Sequence, residues 1–222
     1  MVTGRPGPAN GAPADGAPAD AMPGDEAYRI VRSRIDLTRL APLSRGVTER
    51  VIVASADFDY ATDLVCDERV LAAGVAELAA GVPVVADGVT VAAGIPGYPV
   101  ICKSEESLTE RLSRTAGISK PAAAVRLAFG QAGPGAIWVV GCAAEALAEI
   151  MSRNVQPALV IALPVGLAGA AEAKDALRAS GLPALTNVSE KGGAAVAAAA
   201  FCALADAARA SAGAAPGTAA AP

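Results

Sequence analysis

Three glycine-rich segments hold the residues best suited to gripping an anion: Val139-Val140-Gly141-Cys142-Ala143-Ala144, the stretch from Leu163 through Pro164-Val165-Gly166 to Gly169-Ala170-Ala171-Glu172, and Thr186-Asn187-Val188-Ser189-Glu190-Lys191-Gly192-Gly193. Each joins an apolar run to a helical pattern. Small residues and backbone N–H groups therefore fall at a helix start, where a carboxylate or phosphate is stabilised. One such segment alone reads as a tight turn needing glycine. Three at successive strand ends read as a ligand site. None completes the dinucleotide fingerprint or the P-loop. A fourth segment, Glu49-Arg50-Val51-Ile52-Val53-Ala54-Ser55-Ala56-Asp57-Phe58-Asp59-Tyr60, brings two hydroxyls and three carboxylates but no histidine, and the 222-residue chain has none.

Composition narrows the partners. With 18 basic and 22 acidic residues, a net charge of −4 and 3% aromatic residues, the chain has neither a basic patch nor the rings for base stacking, so nucleic acid is not an expected partner. Cys66, Cys102, Cys142 and Cys202 are far apart and form no C-x-x-C pair. Without histidine, a metal site would need carboxylates or all four thiols, and none is expected. Reduced, buried cysteines suit a cytoplasmic protein. Met1–Gly24 lacks the basic and apolar regions of a signal peptide, and the uninterrupted apolar run Ala194–Leu204 is too short to span a membrane.

The elements that must position these loops follow from the pattern. Residues 1–24 and 211–222 are Ala/Pro/Gly-rich and read as disordered tails, leaving 25–210 as one domain. Val82–Ala86, Pro99–Lys103, Ala136–Val140, Ala158–Leu163 and Ala184–Val188 are apolar almost throughout, as strands buried on both faces are. Helical patterns occupy Asp67–Ala80, Glu105–Ala116, Lys120–Gln131, Ala143–Arg153, Gly169–Ala179 and Gly192–Ala210. This alternation predicts a three-layer α/β fold, a mostly parallel sheet with helices on both faces. Ligands on such sheets sit beyond the carboxyl ends of the strands.

From Ala27 to about Leu204 the chain resembles the precorrin-8X and cobalt-precorrin-8 methylmutases. The matching pieces are Tyr28–Leu40 with Arg32 and Asp36, Arg50–Tyr60, Val84-Val85-Ala86-Asp87, Val91–Ile95, Ala122-Ala123-Ala124, Val140–Ala143, Pro164-Val165-Gly166 through Gly169-Ala170-Ala171-Glu172-Ala173-Lys174, and Glu190-Lys191-Gly192-Gly193. The resemblance implies a homodimer with active sites at the subunit interface and no metal or organic cofactor. It also implies migration of a methyl group from C-11 to C-12 of a tetrapyrrole, giving hydrogenobyrinic acid or its cobalt counterpart. Ser55, Asp87, Lys120, Gly141, Gly166, Lys191, Gly192 and Gly193 are the positions expected to bind that substrate.

The chain departs from the family at its chemistry. Val53 stands where the family carries its catalytic histidine, and an alkyl side chain holds no transferable proton. Lys120 stands for a substrate-contacting arginine, keeping the charge without the planar fork. Pro121 replaces a small hydroxyl residue, and Ala27 and Ala194 fall near family serines. Asp57 reads as a cap of the following turn, and Ser55 is too weak an acid without activation. Lys120 and Lys191 read as carboxylate anchors, while the reach of Tyr98 and Cys102 is not fixed by sequence. No substitute donor stands out. Three readings stay open: a weakened methylmutase, a non-catalytic corrinoid-binding paralogue, and a dimerising scaffold.

Overall fold

The computed structural model describes residues 23–213. The elements in chain order are α1 (Pro23–Arg34), α2 (Pro42–Ser55), α3 (Tyr60–Asp63), β1 (Leu64–Cys66), α4 (Glu68–Ala79), β2 (Val84–Ala86), α5 (Val89–Ala93), β3 (Val100–Cys102), α6 (Ser107–Ala116), α7 (Lys120–Ala132), β4 (Ile137–Val140), α8 (Ala144–Ser152), β5 (Leu159–Ala162), α9 (Ala170–Ala179), β6 (Ala184–Asn187) and α10 (Ala194–Gly213). They build one six-stranded sheet in the order β1-β6-β5-β4-β2-β3. Every pairing is parallel except β1 with β6.

Strand periodicity divides the core in two. Ile137 and Val139 of β4 and Leu159 and Ile161 of β5 bury against α2, α4 and α10. Trp138, Val140, Val160 and Ala162 face the opposite layer, with Val125 of α7, Leu147 of α8 and Leu177 of α9. Both faces are covered, so the strands need no polar side, and the three-layer expectation holds. From β2 the chain passes to β3 and then returns across β2 to β4. The order therefore reverses between β2 and β4, the crevice where open α/β sheets take ligands.

All five strands and six helices read from the sequence are present, within a few residues. β2 starts at Val84 rather than Val82 because Pro83 has no N–H for the ladder; its carbonyl still accepts from Ile137. The sequence reading omitted β1, a half-exposed three-residue edge strand, and helices α1, α2, α3 and α5. α2 has no side-chain N-cap of its own. Glu68 of α4 supplies one, its carboxylate accepting the N–H of Leu43 at 2.8 Å and of Ser44 at 2.9 Å.

The tail assignments for 1–22 and 214–222 lie outside the described residues. Pro23 and Gly24 open α1, and α10 continues to Gly213. By length and composition α10 is long and apolar enough to cross a membrane, which the shorter apolar run Ala194–Leu204 did not suggest. Half of that stretch is buried inside the protein, packed on α2 and α4 as a core helix.

Candidate functional site

At the reversal point, Asp87 follows β2 and is 9% exposed. Its carboxylate accepts three backbone N–H groups from the loop after β4: Gly141 at 3.1 Å, Cys142 at 2.8 Å and Ala143 at 2.9 Å. Burial pushes the carboxyl above its ordinary value while these donors pull it back. The helix-start N–H groups expected to meet a ligand are thus filled from within. Gly141 has a packing role as well: a Cβ there would lie 2.9 Å from Ala194 Cα and from Ala197 Cβ, so glycine lets α10 approach. Cys142 beside it is held protonated, its thiol pushed up to about 11 by burial and by Asp87.

The other two glycine-rich loops are knitted to each other. Lys174 of α9 is fully buried. Its ammonium donates to Asn187 Oδ1 and the Lys191 carbonyl at 2.8 Å each, and to the carbonyls of Pro164 and Ser189. All four partners are uncharged oxygens, and burial brings its pKa down to about 8. Gly166 N–H donates to the Glu190 carbonyl at 3.1 Å, and Gly193 N–H to the Leu163 carbonyl at 2.7 Å. Gly192 has φ +151°, and a Cβ there would sit 2.2 Å from the Leu163 oxygen. Gly192→Ala should lower the melting temperature sharply, by the equivalent of about 2 kcal/mol or more for a strained backbone and a displaced loop. An unchanged melt would dismiss that close approach.

Asp63, at the end of α3, anchors the same loop. It accepts from Asn187 Nδ2 at 2.8 Å, Ser189 Oγ at 2.7 Å, and the N–H groups of Ser189 at 2.8 Å and Val188 at 3.1 Å. Burial pushes this carboxyl up, but the four donors outweigh it and its pKa lies below the ordinary 3.8. A depressed carboxylate adds stability above its unfolded pKa and loses it as pH falls through the folded one. Asp63→Asn should therefore flatten the acid limb of the melting-temperature profile below about pH 4. An acid limb as steep as the parent's would count against the clamp.

The segment around Val53 occupies the end of α2. Ala56 closes the helix in the left-handed region at φ 55°, and the chain then turns so that Asp57 and Asp59 meet Lys191, at 2.8 and 2.6 Å. The two carboxylates push the lysine well up, and Lys191 pulls Asp57 down. Lys191 is thus already paired, and Asp57 is a structural carboxylate as expected. Ser55 Oγ donates to the Val51 carbonyl at 2.8 Å and accepts Asp57 N–H at 3.2 Å.

Val53 itself lines an open cleft of about 550 Å³ between α1, α2 and α10. Lys120 lies elsewhere, in a cavity of about 240 Å³ with Asp87, Thr90, Ser104 and Cys142. Its ammonium is 3.3 Å from Glu105. Pro121 falls in the first turn of α7, where its missing N–H leaves no helical bond unmade. A third cavity of about 350 Å³ shares Cys142 and Ala143 with the Lys120 cavity and reaches Val165 and Gly169. The two cavities nearest the reversal point thus adjoin. The Val53 cleft shares no lining residue with either of them, although its Ala195 is the chain neighbour of the Ala194 that packs on Gly141.

Residues the sequence reading missed complete the Val53 cleft: Tyr28, Arg50, and Ala195, Ala198, Ala199 and Cys202 of α10. The α10 set falls at helical spacing on one face, a signal obscured because alanine fills nearly every position there.

The strand order, two helical layers and cavities at the sheet's carboxyl edge define a doubly wound α/β protein. The family model for precorrin-8X methylmutase matches residues 24–207. The cobalt-precorrin-8 methylmutase of Salmonella typhimurium is 32% identical over 177 residues, covering 77% of this chain and 84% of that protein. The precorrin-8X methylmutase of Pseudomonas aeruginosa is 32% identical over 192 residues, covering 81% and 92%. The crystal structure of precorrin-8X methylmutase from Thermus thermophilus superposes with a TM-score of 0.77 at 29% identity, covering 85% of this chain and 96% of that one. The chain belongs to the precorrin-8X methylmutase family.

Proposed function

We propose that this chain is a slow methylmutase of cobalamin biosynthesis, moving a methyl group from C-11 to C-12 of a metal-free or cobalt-bearing corrin precursor. The observation that carries the reading is an assembled frame around a substituted centre. The loops at the sheet's carboxyl edge are fully cross-braced, while Val53 presents an alkyl group to the cleft. Lys120 is half-exposed in its cavity and only loosely paired with Glu105, which leaves its charge available to an acetate or propionate arm. Binding and charge placement retain part of an enzyme's rate after its acid is lost.

The test is incubation of the purified, folded chain with precorrin-8X and with its cobalt counterpart, followed by absorption spectroscopy. Slow conversion above the protein-free rate is expected. Conversion no faster than the blank would overturn the reading.

Val53 also favours a second reading, a non-catalytic corrinoid-binding paralogue. It predicts saturable hydrogenobyrinic acid binding with no turnover. We infer further that the chain acts as a cytoplasmic homodimer. Support comes from the apolar side chains left open beside the cavities, Leu167 at 94% exposed and Val165 at 55%. Sedimentation at micromolar concentration should give twice the monomer mass, and Leu167→Asp should halve it.

A further inference from the structure

Tyr28 is the residue of the Val53 cleft whose proton can move. Three of the residues lining that cleft carry a polar hydrogen on their side chains: Tyr28 from α1, Arg50 from α2 and Cys202 from α10. Arg50 is tied to Asp206, and a guanidinium does not give up a proton in a protein. The Cys202 thiol is directed at the Gly94 carbonyl of the cleft wall, at 3.6 Å. The Tyr28 phenol is half-exposed, and its hydroxyl takes no hydrogen bond from the described residues.

We propose that Tyr28 serves as the proton donor of this cleft in place of the imidazole that Val53 does not supply; this rests on the methylmutase reading above. The step is balanced within the cleft. The Oη–H bond of Tyr28 breaks as an N–H bond forms on a basic ring nitrogen of the tetrapyrrole, and the electron pair stays on the phenolate oxygen. The methyl group then migrates with its bonding pair on the protonated ring. The ring nitrogen returns the proton to Tyr28, so nothing is consumed.

The surroundings set how well this works. Arg50 and Arg32 are the cations that act on Tyr28, and Asp206 and Glu49 are the opposing anions. The Arg32 guanidinium carbon lies 5.7 Å from the Tyr28 ring centre. It is held there by a two-pronged pair with Glu49, at 3.0 and 2.7 Å. Burial, the largest effect, raises the Tyr28 pKa, while Arg50 favours the phenolate. Tyr28 is therefore a weaker acid than an imidazolium, in keeping with a slow enzyme. It also keeps its proton between about pH 7 and 9, where an imidazole loses its charge.

The experiment compares wild type, Tyr28→Phe, Val53→His and the double variant by precorrin-8X turnover across pH 6–9 and by hydrogenobyrinic acid binding. Tyr28→Phe removes one oxygen from a half-exposed side chain, so a matching circular dichroism melt certifies the fold. Expected is a loss of kcat of about 10²-fold in Tyr28→Phe, the low end for a positioned acid, with corrin affinity changed less than about threefold. Wild-type activity should stay level up to pH 9, whereas Val53→His should decline above about pH 7. The double variant should keep the Val53→His rate. Unchanged kcat in Tyr28→Phe, or a wild-type profile that falls near pH 7, overturns the assignment. Corrin binding and turnover by Val53→His with none by wild type also overturns Tyr28 as donor, while leaving the family reaction in place. Absence of both binding and turnover in every variant brings down the methylmutase reading and Tyr28 with it.

Discussion

Val53→His should raise turnover of precorrin-8X by about 10²-fold near pH 6.5, the low end of what a positioned acid contributes, because Tyr28 already supplies a proton. The geometry accommodates the change. α2 buries Val51 and Ile52 and leaves Val53 only partly covered on the cleft wall. Gly94, Ala195, Ala198 and Ala199 line the same cleft and leave room for a ring. An imidazole there carries a proton at slightly acid pH, which an isopropyl group never does. The gain should shrink as pH rises, because the charged imidazole is lost above its pKa while the phenol stays protonated. Initial rates from the absorption change would measure it. A folded variant with no gain would mean that the Lys120 and Pro121 changes have already removed productive substrate placement.

Lys174→Met should cost at least about 3 kcal/mol, since each buried oxygen left without its donor costs roughly 1–3 kcal/mol. Methionine matches the length of the stem, so packing is nearly conserved; what disappears is the ammonium. Four oxygens from two loops would then share no proton: those of Pro164, Asn187, Ser189 and Lys191. Asn187 would keep its Nδ2 bond to Asp63 at 2.8 Å but lose the partner of its carbonyl. Denaturant titration should show a large fall in midpoint, and hydrogen exchange should localise the opening to residues 163–166 and 187–193. A loss under about 1 kcal/mol would show that water replaces the ammonium at no cost.

Much of this arrangement could be read in the amino-acid sequence, for physical reasons. Strands such as Ile137–Val140 are buried on both faces, and four apolar residues between helical patterns admit few other interpretations. The α2 helix escaped notice because its site-bearing half, Arg50–Ser55, was read as a motif rather than as a periodic stretch. β1 escaped because three half-covered residues carry no period. The site divides in the same way. The glycine-rich loops were found, but their N–H and carbonyl groups meet Lys174, Asp87 and Asp63 across separations from 10 to 126 residues along the chain, and spacing alone does not reveal such partners. Lys191 looked like a free cation because Asp57 and Asp59 approach it only after the left-handed turn at Ala56. Tyr28 was invisible as a donor until α1 was laid beside α2.

The internal clamps at Asp87, Lys174 and Lys191 also bear on how the protein evolves. Loops braced this closely by their own chain need little ordering when a ring arrives, so its capture should not wait for a segment to close. Position 53 carries none of these clamps, although Val53 packs against the core from the cleft wall. A change there alters the chemistry of the cleft and costs only what a half-covered apolar side chain contributes, less than the loss of a clamp. A scaffold braced in this way is compatible with the proposed exchange of the proton donor at the cleft without loss of the fold.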